Sequence, residues 1–141
     1  MIFFLDASVL AKRYVVEPGT ERVRSLFRRH AEIAVSRVSE VEVTSALVRR
    51  MRSGDLEADV VEAHLESLIE DLAACDVVEV RRPVVTRARE LVRKHGLRAY
   101  DGVQIASALR AKAGTAIAFL CADGDLADAA AAERLRVERL G

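Results

Sequence analysis

The stretch IFFLDASVL, Ile2–Leu10, places four large apolar residues directly before a carboxylate, Asp6, and then continues as a small, helix-compatible run. Ile2–Leu5 has the length and composition of a buried β-strand, and Ala7–Tyr14 has the alanine, leucine and lysine content of a helix. A short, continuously apolar strand followed by a helix is typical of parallel sheets that are covered on both faces. The segment therefore predicts an α/β fold that begins with a strand, an aspartate and a helix.

The length and composition of the chain indicate one domain with its own core. Of its 141 residues, 51% are hydrophobic, and the 22 basic and 22 acidic residues cancel to a formal net charge of zero. A chain without net charge has no global field to draw it onto nucleic acid or an anionic membrane, so such contacts must be local. No apolar run reaches the ~18 residues of a membrane span, and the N-terminus lacks the pattern of a signal peptide. We therefore expect a single cytoplasmic domain over residues 1–141.

Cysteine and histidine give no sign of a zinc site or a disulfide framework. Cys75 and Cys121 are too few and too far apart for either, so we predict that both are small core residues. His30, His64 and His95 show no paired spacing of the kind that metal-ligating histidines have. We therefore predict that the three histidines lie at the surface or are satisfied by local hydrogen bonds.

Apolar periodicity predicts alternating helices and strands along the rest of the chain. The predicted helices are Thr20–His30, Ser39–Arg52, Leu56–Ala74, Pro83–Lys94, Tyr100–Lys112 and Asp125–Ala132, and the predicted strands are Ile33–Val35, Val77–Val80, Ala116–Cys121 and Leu135–Val137. This order predicts a three-layer α/β/α domain around a central, mainly parallel sheet of four to five strands.

Aspartates follow or begin several of these elements at positions where function is expected. In an open α/β sheet the functional crevice lies beyond the carboxyl ends of the strands, and Asp6 and Asp123 each follow a predicted strand. Asp6, Asp101 and Asp123 also precede or begin helices, so each taken alone is explained by N-capping. Asp125 could add a further ligand or merely cap the last helix.

Glu42 is not explained by capping, because it lies inside its predicted helix. Its neighbours at three and four residues are small or apolar, whereas Glu40 falls on the more polar face. If Glu42 converges with Asp6, Asp101 and Asp123, their repulsion raises at least one pKa unless a cation compensates it. Oxygen ligands of this kind suit Mg²⁺ or Mn²⁺.

Four segments, in this order, resemble the PIN-domain ribonucleases and, among them, the VapC-type toxins of prokaryotic toxin–antitoxin pairs. They are Asp6–Leu10 (DASVL), Ser39–Leu47 (SEVEVTSAL), Tyr100–Leu109 (YDGVQIASAL) and Leu120–Leu126 (LCADGDL). The resemblance covers essentially the whole chain. The family's four acids map to Asp6, Glu42, Asp101 and Asp123, and its small hydroxyl residue maps to Ser8. Gly102-Val103-Gln104 stands where many relatives carry Ala, Leu and His, a departure that removes no carboxylate.

The resemblance implies a divalent-metal-dependent endoribonuclease. Mg²⁺ or Mn²⁺ held by Asp6, Asp101 and Asp123 would activate the water that attacks an RNA phosphodiester, with Glu42 as a ligand or a water-orienting base. The resemblance also implies a homodimer and a small antitoxin protein as partner.

Local positive charge is needed to hold RNA on a chain without net charge. Arg49 and Arg50 end the helix that carries Glu42, and Arg98 precedes Asp101, so these side chains could bind phosphates. They could equally be charges favoured near helix ends.

Other function classes fit the sequence less well. A phospho-receiver domain needs a late-strand lysine, and no lysine follows residue 112. A nucleotide-binding Rossmann module needs a glycine-rich loop after the first strand, which is absent. A catalytically inactive PIN-like module that binds RNA or another partner remains an alternative, which an assay of metal-dependent RNA cleavage would separate from the enzyme.

Overall fold

The predicted alternation of strands and helices is present in the structure, a computed structural model that describes residues 1–141. The strands are β1 (Ile2–Leu5), β2 (Ile33–Ser36), β3 (Asp76–Val78), β4 (Ile117–Cys121) and β5 (Arg136–Arg139). The helices are α1 (Ala7–Ala11), α2 (Thr20–Arg28), α3 (Val38–Arg52), α4 (Ala58–Ala73), α5 (Arg82–His95), α6 (Ala99–Lys112) and α7 (Gly124–Ala132). Each predicted element is found, and the ends differ by at most three residues.

The five strands form one all-parallel sheet in the order β3-β2-β1-β4-β5. β1 is central and pairs with β2 on one side and β4 on the other; Phe4 lies opposite both Ala34 and Phe119. The chain first builds outward from β1 through β2 to β3, and then crosses over to add β4 and β5. The strand order therefore changes direction between β1 and β4, where open α/β sheets place their crevice.

Alternate residues of β1 face two separate hydrophobic cores. Leu5 packs into a core formed with α1–α4, whereas Ile2 and Phe4 face a second core formed with α5–α7. In the second core, Phe4 stacks on Phe119 with ring centroids 5.6 Å apart. Helices on both faces of the sheet confirm the predicted three-layer architecture.

The two cysteines are free, and Cys121 is buried as predicted, whereas Cys75 is only half-buried. Burial, together with the nearby carboxylates of Asp6 and Asp123, raises the pKa of the Cys121 thiol to about 12. This thiol is therefore neutral and part of the second core. No helix is both long and apolar enough to pass through a membrane.

An ion pair joins the segment after α1 to α4. The Arg13 guanidinium donates to both carboxylate oxygens of Asp71 at 2.6 and 3.1 Å, and the Tyr14 hydroxyl donates to the same carboxylate at 2.7 Å. Arg13 also lies over the ring of Phe27, 3.8 Å from its centroid. Asp71 is only 15% exposed, and its carboxylate accepts from both the half-buried Arg13 guanidinium and the buried Tyr14 hydroxyl, which would otherwise lack a partner.

Replacing Asp71 with Ala should lower the free energy of unfolding by about 2–3 kcal/mol, because it leaves a half-buried guanidinium and a buried hydroxyl unpaired. Urea denaturation measures the change. The matched control is Glu21→Ala, which breaks the exposed Arg28–Glu21 pair (3.4 Å) and should change stability by less than about 0.5 kcal/mol. Equal effects of the two variants would contradict this role of Asp71.

Candidate functional site

Four carboxylates meet at the carboxyl edge of the sheet, beside the change in strand order. Asp6 directly follows β1 and Asp123 follows β4, while Glu42 lies on α3 and Asp101 in the first turn of α6. Their charges interact: Glu42 and Asp101 both raise the pKa of Asp6, and Asp123 raises that of Asp101. No three acidic, histidine or cysteine side chains are close enough in this arrangement to hold one metal ion.

Asp6 is held in place by the start of the helix that it caps. Its side chain is buried, and a single oxygen, Oδ1, accepts hydrogen bonds from the Ser8 hydroxyl at 2.7 Å and the Val9 N–H at 2.9 Å. The capping role and the contact with Ser8 thus use one oxygen, and Oδ2 makes no hydrogen bond. The pKa of Asp6 is raised to about 6, chiefly by burial; the two hydrogen bonds oppose this shift and the charges of Glu42 and Asp101 add to it.

Asp123 is an N-cap as well. Its Oδ2 accepts from the Leu126 N–H at 3.0 Å, which leaves Oδ1 without a hydrogen bond. Because Asp123 caps α7, the alternative that Asp125 caps this helix is wrong; Asp125 is exposed in the first turn instead. Asp125 lines a cavity of about 380 Å³ together with Asp101, Asp123 and Asp128. Asp128 was not among the predicted site residues, although its position three residues after Asp125 puts both on one helix face.

Glu42 is half-buried and directed by a residue that the sequence prediction did not include. The Gln104 amide donates to Glu42 Oε1 at 3.0 Å and to the Ser39 hydroxyl at 2.9 Å. Burial raises the pKa of Glu42, the Gln104 bond lowers it, and repulsion from Asp101 raises it. Position 104 lies three residues after Asp101, so both face the same side of α6, a spacing that could have identified it.

The orientation of the Gln104 side chain is set by the charge of Glu42. Gln104 is buried, and its amide oxygen Oε1 has no hydrogen-bond partner. Rotating the amide by half a turn would direct that oxygen at the carboxylate and lose both donated bonds. An unpaired buried carbonyl of this kind costs about 1–3 kcal/mol. The observed orientation therefore keeps the hydrogen bond to Glu42 but lowers the stability of the fold.

The three arginines predicted to bind RNA lie in different surroundings. Arg98 is exposed beside Asp101, where its charge lowers the pKa of that carboxyl and partly offsets the effect of burial. Arg49 is exposed on α3 and lines a groove next to Glu42. Arg50 extends instead toward Glu17, 3.5 Å away, and lines neither cavity beside the acids.

The loop that carries Arg98 is anchored to the end of α7. Glu133 is nearly buried and accepts hydrogen bonds from Arg87, Lys94 and His95 at 2.7–2.8 Å. Hydrogen bonds from Lys94 and His95, with the charge of Arg87, lower the pKa of Glu133 to about 2. The end of α5 is thereby fixed three residues before Arg98.

The sequence profile of the PIN domain matches residues 3–132, a range that contains all four acids. Ribonuclease VapC45 of Mycobacterium tuberculosis (strain CDC 1551 / Oshkosh) is 34% identical over 110 residues, which cover 77% of this chain and 75% of that protein. Ribonuclease VapC49 of M. tuberculosis strain ATCC 25618 / H37Rv matches with the same identity and coverage.

Solved structures share the fold at lower sequence identity. FitAcB from Neisseria gonorrhoeae superposes with a TM-score of 0.68 at 20% identity, over 97% of this chain and 96% of that one. VapBC2 from Rickettsia felis, bound to a DNA fragment from their promoter, gives a TM-score of 0.68 at 14% identity over the whole of both chains. PAE2754 from Pyrobaculum aerophilum gives 0.67 at 18% identity, over 92% and 79% of the two chains.

Replacing Asp6 with Asn should stabilise the protein at neutral pH when divalent ions are absent. In the folded protein the pKa of Asp6 is about 6, above the ordinary aspartate value of 3.8. The folded state therefore loses stability relative to the unfolded state as the pH rises from ~4 through 6. Asn retains the cap but carries no charge, so the variant should be more stable than wild type by about 3 kcal/mol at pH 7.

Thermal denaturation in EDTA between pH 4 and 7.5 tests this pH dependence, and the difference between the two proteins should shrink as the pH falls. The control is Asp123→Asn, which removes a charge from an exposed cap and should change stability by less than about 0.5 kcal/mol. If Asp6→Asn is less stable than wild type at pH 7, then the charge of Asp6 does not destabilise the metal-free fold.

Proposed function

Because the chain belongs to the PIN-domain family and is similar to VapC-type ribonucleases over most of its length, we propose that it is a divalent-metal-dependent endoribonuclease acting as the toxin of a type II toxin–antitoxin pair. The observation that carries the proposal is the meeting of four interacting carboxylates at the carboxyl edge of the sheet. Carboxylates with raised pKa values, grouped in a cleft, are typical of a functional site.

The donor set fits Mg²⁺ or Mn²⁺. It consists of carboxylate oxygens only, and burial and mutual repulsion raise the pKa of Asp6, Glu42 and Asp101, so a bound cation would relieve an unfavourable concentration of negative charge. Asp6, Asp101 and Asp123 are the residues that would hold it, with Asp125 as a further candidate. A divalent ion in such a site supplies a water of lowered pKa and stabilises charge on the phosphate.

Glu42 is the residue that would accept a proton from the attacking water. Its raised pKa suits a general base, and the Gln104 amide on Oε1 leaves Oε2 without a hydrogen bond inside the protein. Ser8 fixes the Asp6 carboxylate, and Arg98 would attract the substrate phosphate to the same edge. In-line attack of water on the phosphodiester leaves a 5′-phosphate and a 3′-hydroxyl.

The alternative is a PIN-like module that binds RNA or another partner without cleaving it. The absence of three acidic side chains within reach of one ion favours this alternative. The presence of all four acids favours the enzyme, because their mutual repulsion is unfavourable and an inactive module does not require it.

The remaining parts of the proposal concern organisation and partners. We assign residues 1–141 to one cytoplasmic domain that forms a homodimer and is blocked by a small antitoxin protein. Support for a partner comes from the VapBC2 structure, which is bound to a DNA fragment from their promoter.

Purified protein should cleave single-stranded RNA when Mg²⁺ or Mn²⁺ is present and lose that activity in EDTA. Asp6→Asn and Asp101→Asn should each reduce cleavage by at least about a hundredfold, since each removes a charged ligand. Asp59→Asn, an exposed aspartate on α4, is the matched control and should retain full activity. Gel analysis of end-labelled RNA measures the rates.

Metal binding is measured separately by the thermal shift that Mn²⁺ causes. Wild type and Asp59→Asn should be stabilised, whereas Asp6→Asn should respond far less. Stabilisation by Mn²⁺ without RNA cleavage would favour the binding module, and the same products from wild type and both site variants would exclude this nuclease.

Replacing Gln104 with Met should lower kcat by about tenfold with little change in KM, because Glu42 loses the donor that orients it. Gln104→His retains a ring N–H donor and should recover most of the activity. Ser107→Ala is the control, since this buried hydroxyl on the same helix has no hydrogen-bond partner. Equal activity of the Met variant and wild type would contradict a positioning role for Gln104.

A further inference from the structure

A second cavity adjoins the acids on the side away from α7. This groove has a volume of about 530 Å³ and lies between α1 and α3, with the start of α6 at one end. Glu42 and Ser8 belong to its lining, so it is continuous with the carboxylate site. Its size falls within the range of about 300–1,000 Å³ that is typical of pockets for small-molecule groups.

The groove carries an aromatic ring and an aliphatic side chain that the protein's own cores do not use. Tyr100 is 58% exposed and Val41 is 64% exposed, although both are large apolar groups. The hydroxyl of Tyr14, the other tyrosine, is bound to Asp71, whereas that of Tyr100 makes no hydrogen bond. A free ring at the edge of a polar site is available for stacking.

Two guanidinium groups in the same groove also lack partners. Arg49 and Arg98 form no ion pair, whereas Arg50, next along α3, pairs with Glu17. Unpaired arginines 49 residues apart in sequence converge on one groove, so the fold concentrates positive charge there. Such groups bind phosphate oxygens through two parallel hydrogen bonds.

The groove and the acidic cavity differ in charge and meet at Arg98, which lines both. The acidic cavity has four aspartates, Asp101, Asp123, Asp125 and Asp128, whereas Glu42 is the one carboxylate in the groove. A polyanion is repelled by the first surface and attracted by the second. In the metal-free protein, a nucleic-acid strand is therefore attracted to the groove rather than to the aspartates of the acidic cavity.

We propose that this groove is a nucleotide subsite, in which an unpaired RNA base stacks on the Tyr100 ring and packs against Val41 while the flanking phosphates bind Arg49 and Arg98. The subsite rests on the proposed ribonuclease function and requires an unpaired base, because a base can reach the ring only when it is released from a duplex. The phosphodiester next to the stacked base then lies beside Glu42 and Ser8.

The test uses a short fluorescently labelled single-stranded RNA and an otherwise identical strand with one abasic position, and measures affinity by anisotropy. All proteins carry Asp6→Asn to prevent cleavage. Tyr100→Ala should weaken binding of the normal strand by about tenfold. The parent protein, which retains Tyr100, should bind the abasic strand about tenfold more weakly than the normal strand. Tyr100→Ala should bind the abasic strand no more weakly than it binds the normal strand, because both changes remove the same stacking contact. Tyr100→Phe keeps the ring and should bind as tightly as the parent.

The arginines are tested by their salt dependence. Arg49→Gln and Arg98→Gln should each weaken both strands equally and reduce the salt dependence of binding, as expected for phosphate contacts. Arg89→Gln, an exposed arginine on α5 outside the groove, is the matched control and should change neither. The chain has no tryptophan, so quenching of tyrosine fluorescence by RNA, lost in Tyr100→Phe, gives a second measure of the stack.

Equal affinity of Tyr100→Ala and its parent for the normal strand would overturn the subsite. So would a Tyr100→Ala protein that binds RNA normally but no longer assembles with its partner protein, because the groove would then receive a protein segment. These results are independent of the nuclease assay. If the protein cleaves RNA but Tyr100→Ala does not change its affinity for RNA, the subsite alone is refuted. Stacking on Tyr100 without any cleavage refutes the proposed function alone.

Discussion

The pairing of β1 on both of its edges is the constraint on which the rest of the structure depends. β1 is hydrogen-bonded to β2 and β4, and its alternate side chains enter two different cores, so it can neither shift in register nor be exposed. Its carboxyl end is therefore a fixed point inside the protein. Asp6 follows immediately and is buried because the strand before it is buried, and the helix after it begins on its side chain.

Electrostatic repulsion is the consequence of that placement. Three of the four carboxylates have raised pKa values, and burial is the largest cause for each. The hydrogen bonds from Ser8, Val9 and Gln104 offset only part of this effect. The metal-free fold thus keeps a local excess of negative charge that a divalent cation would relieve, while the distances among the acids remain too long for three of them to share one ion.

Arg98 lies at the boundary between two surfaces that differ in charge. On the α7 side four aspartates line the cavity that we propose as the cation site, and on the α3 side an exposed tyrosine ring and two arginines without ion pairs line the groove that we propose as the nucleotide subsite. The loop before Arg98 is anchored through Glu133, which holds Lys94 and His95. A neutral chain can therefore attract a polyanion locally, because its charges are separated by the fold rather than unequal in number.

The sequence by itself determined the order of strands and helices, the parallel sheet and the positions of Asp6 and Asp123, because these follow from local apolar periodicity and from where each strand ends. It also indicated Glu42, whose neighbours on the helix are small or apolar. Only the tertiary structure decided that Gln104 orients Glu42 across 62 residues and that Arg49 but not Arg50 faces the groove. Each of these depends on how separate helices pack and which rotamer a side chain adopts there, and neither is encoded in the periodicity of a single segment.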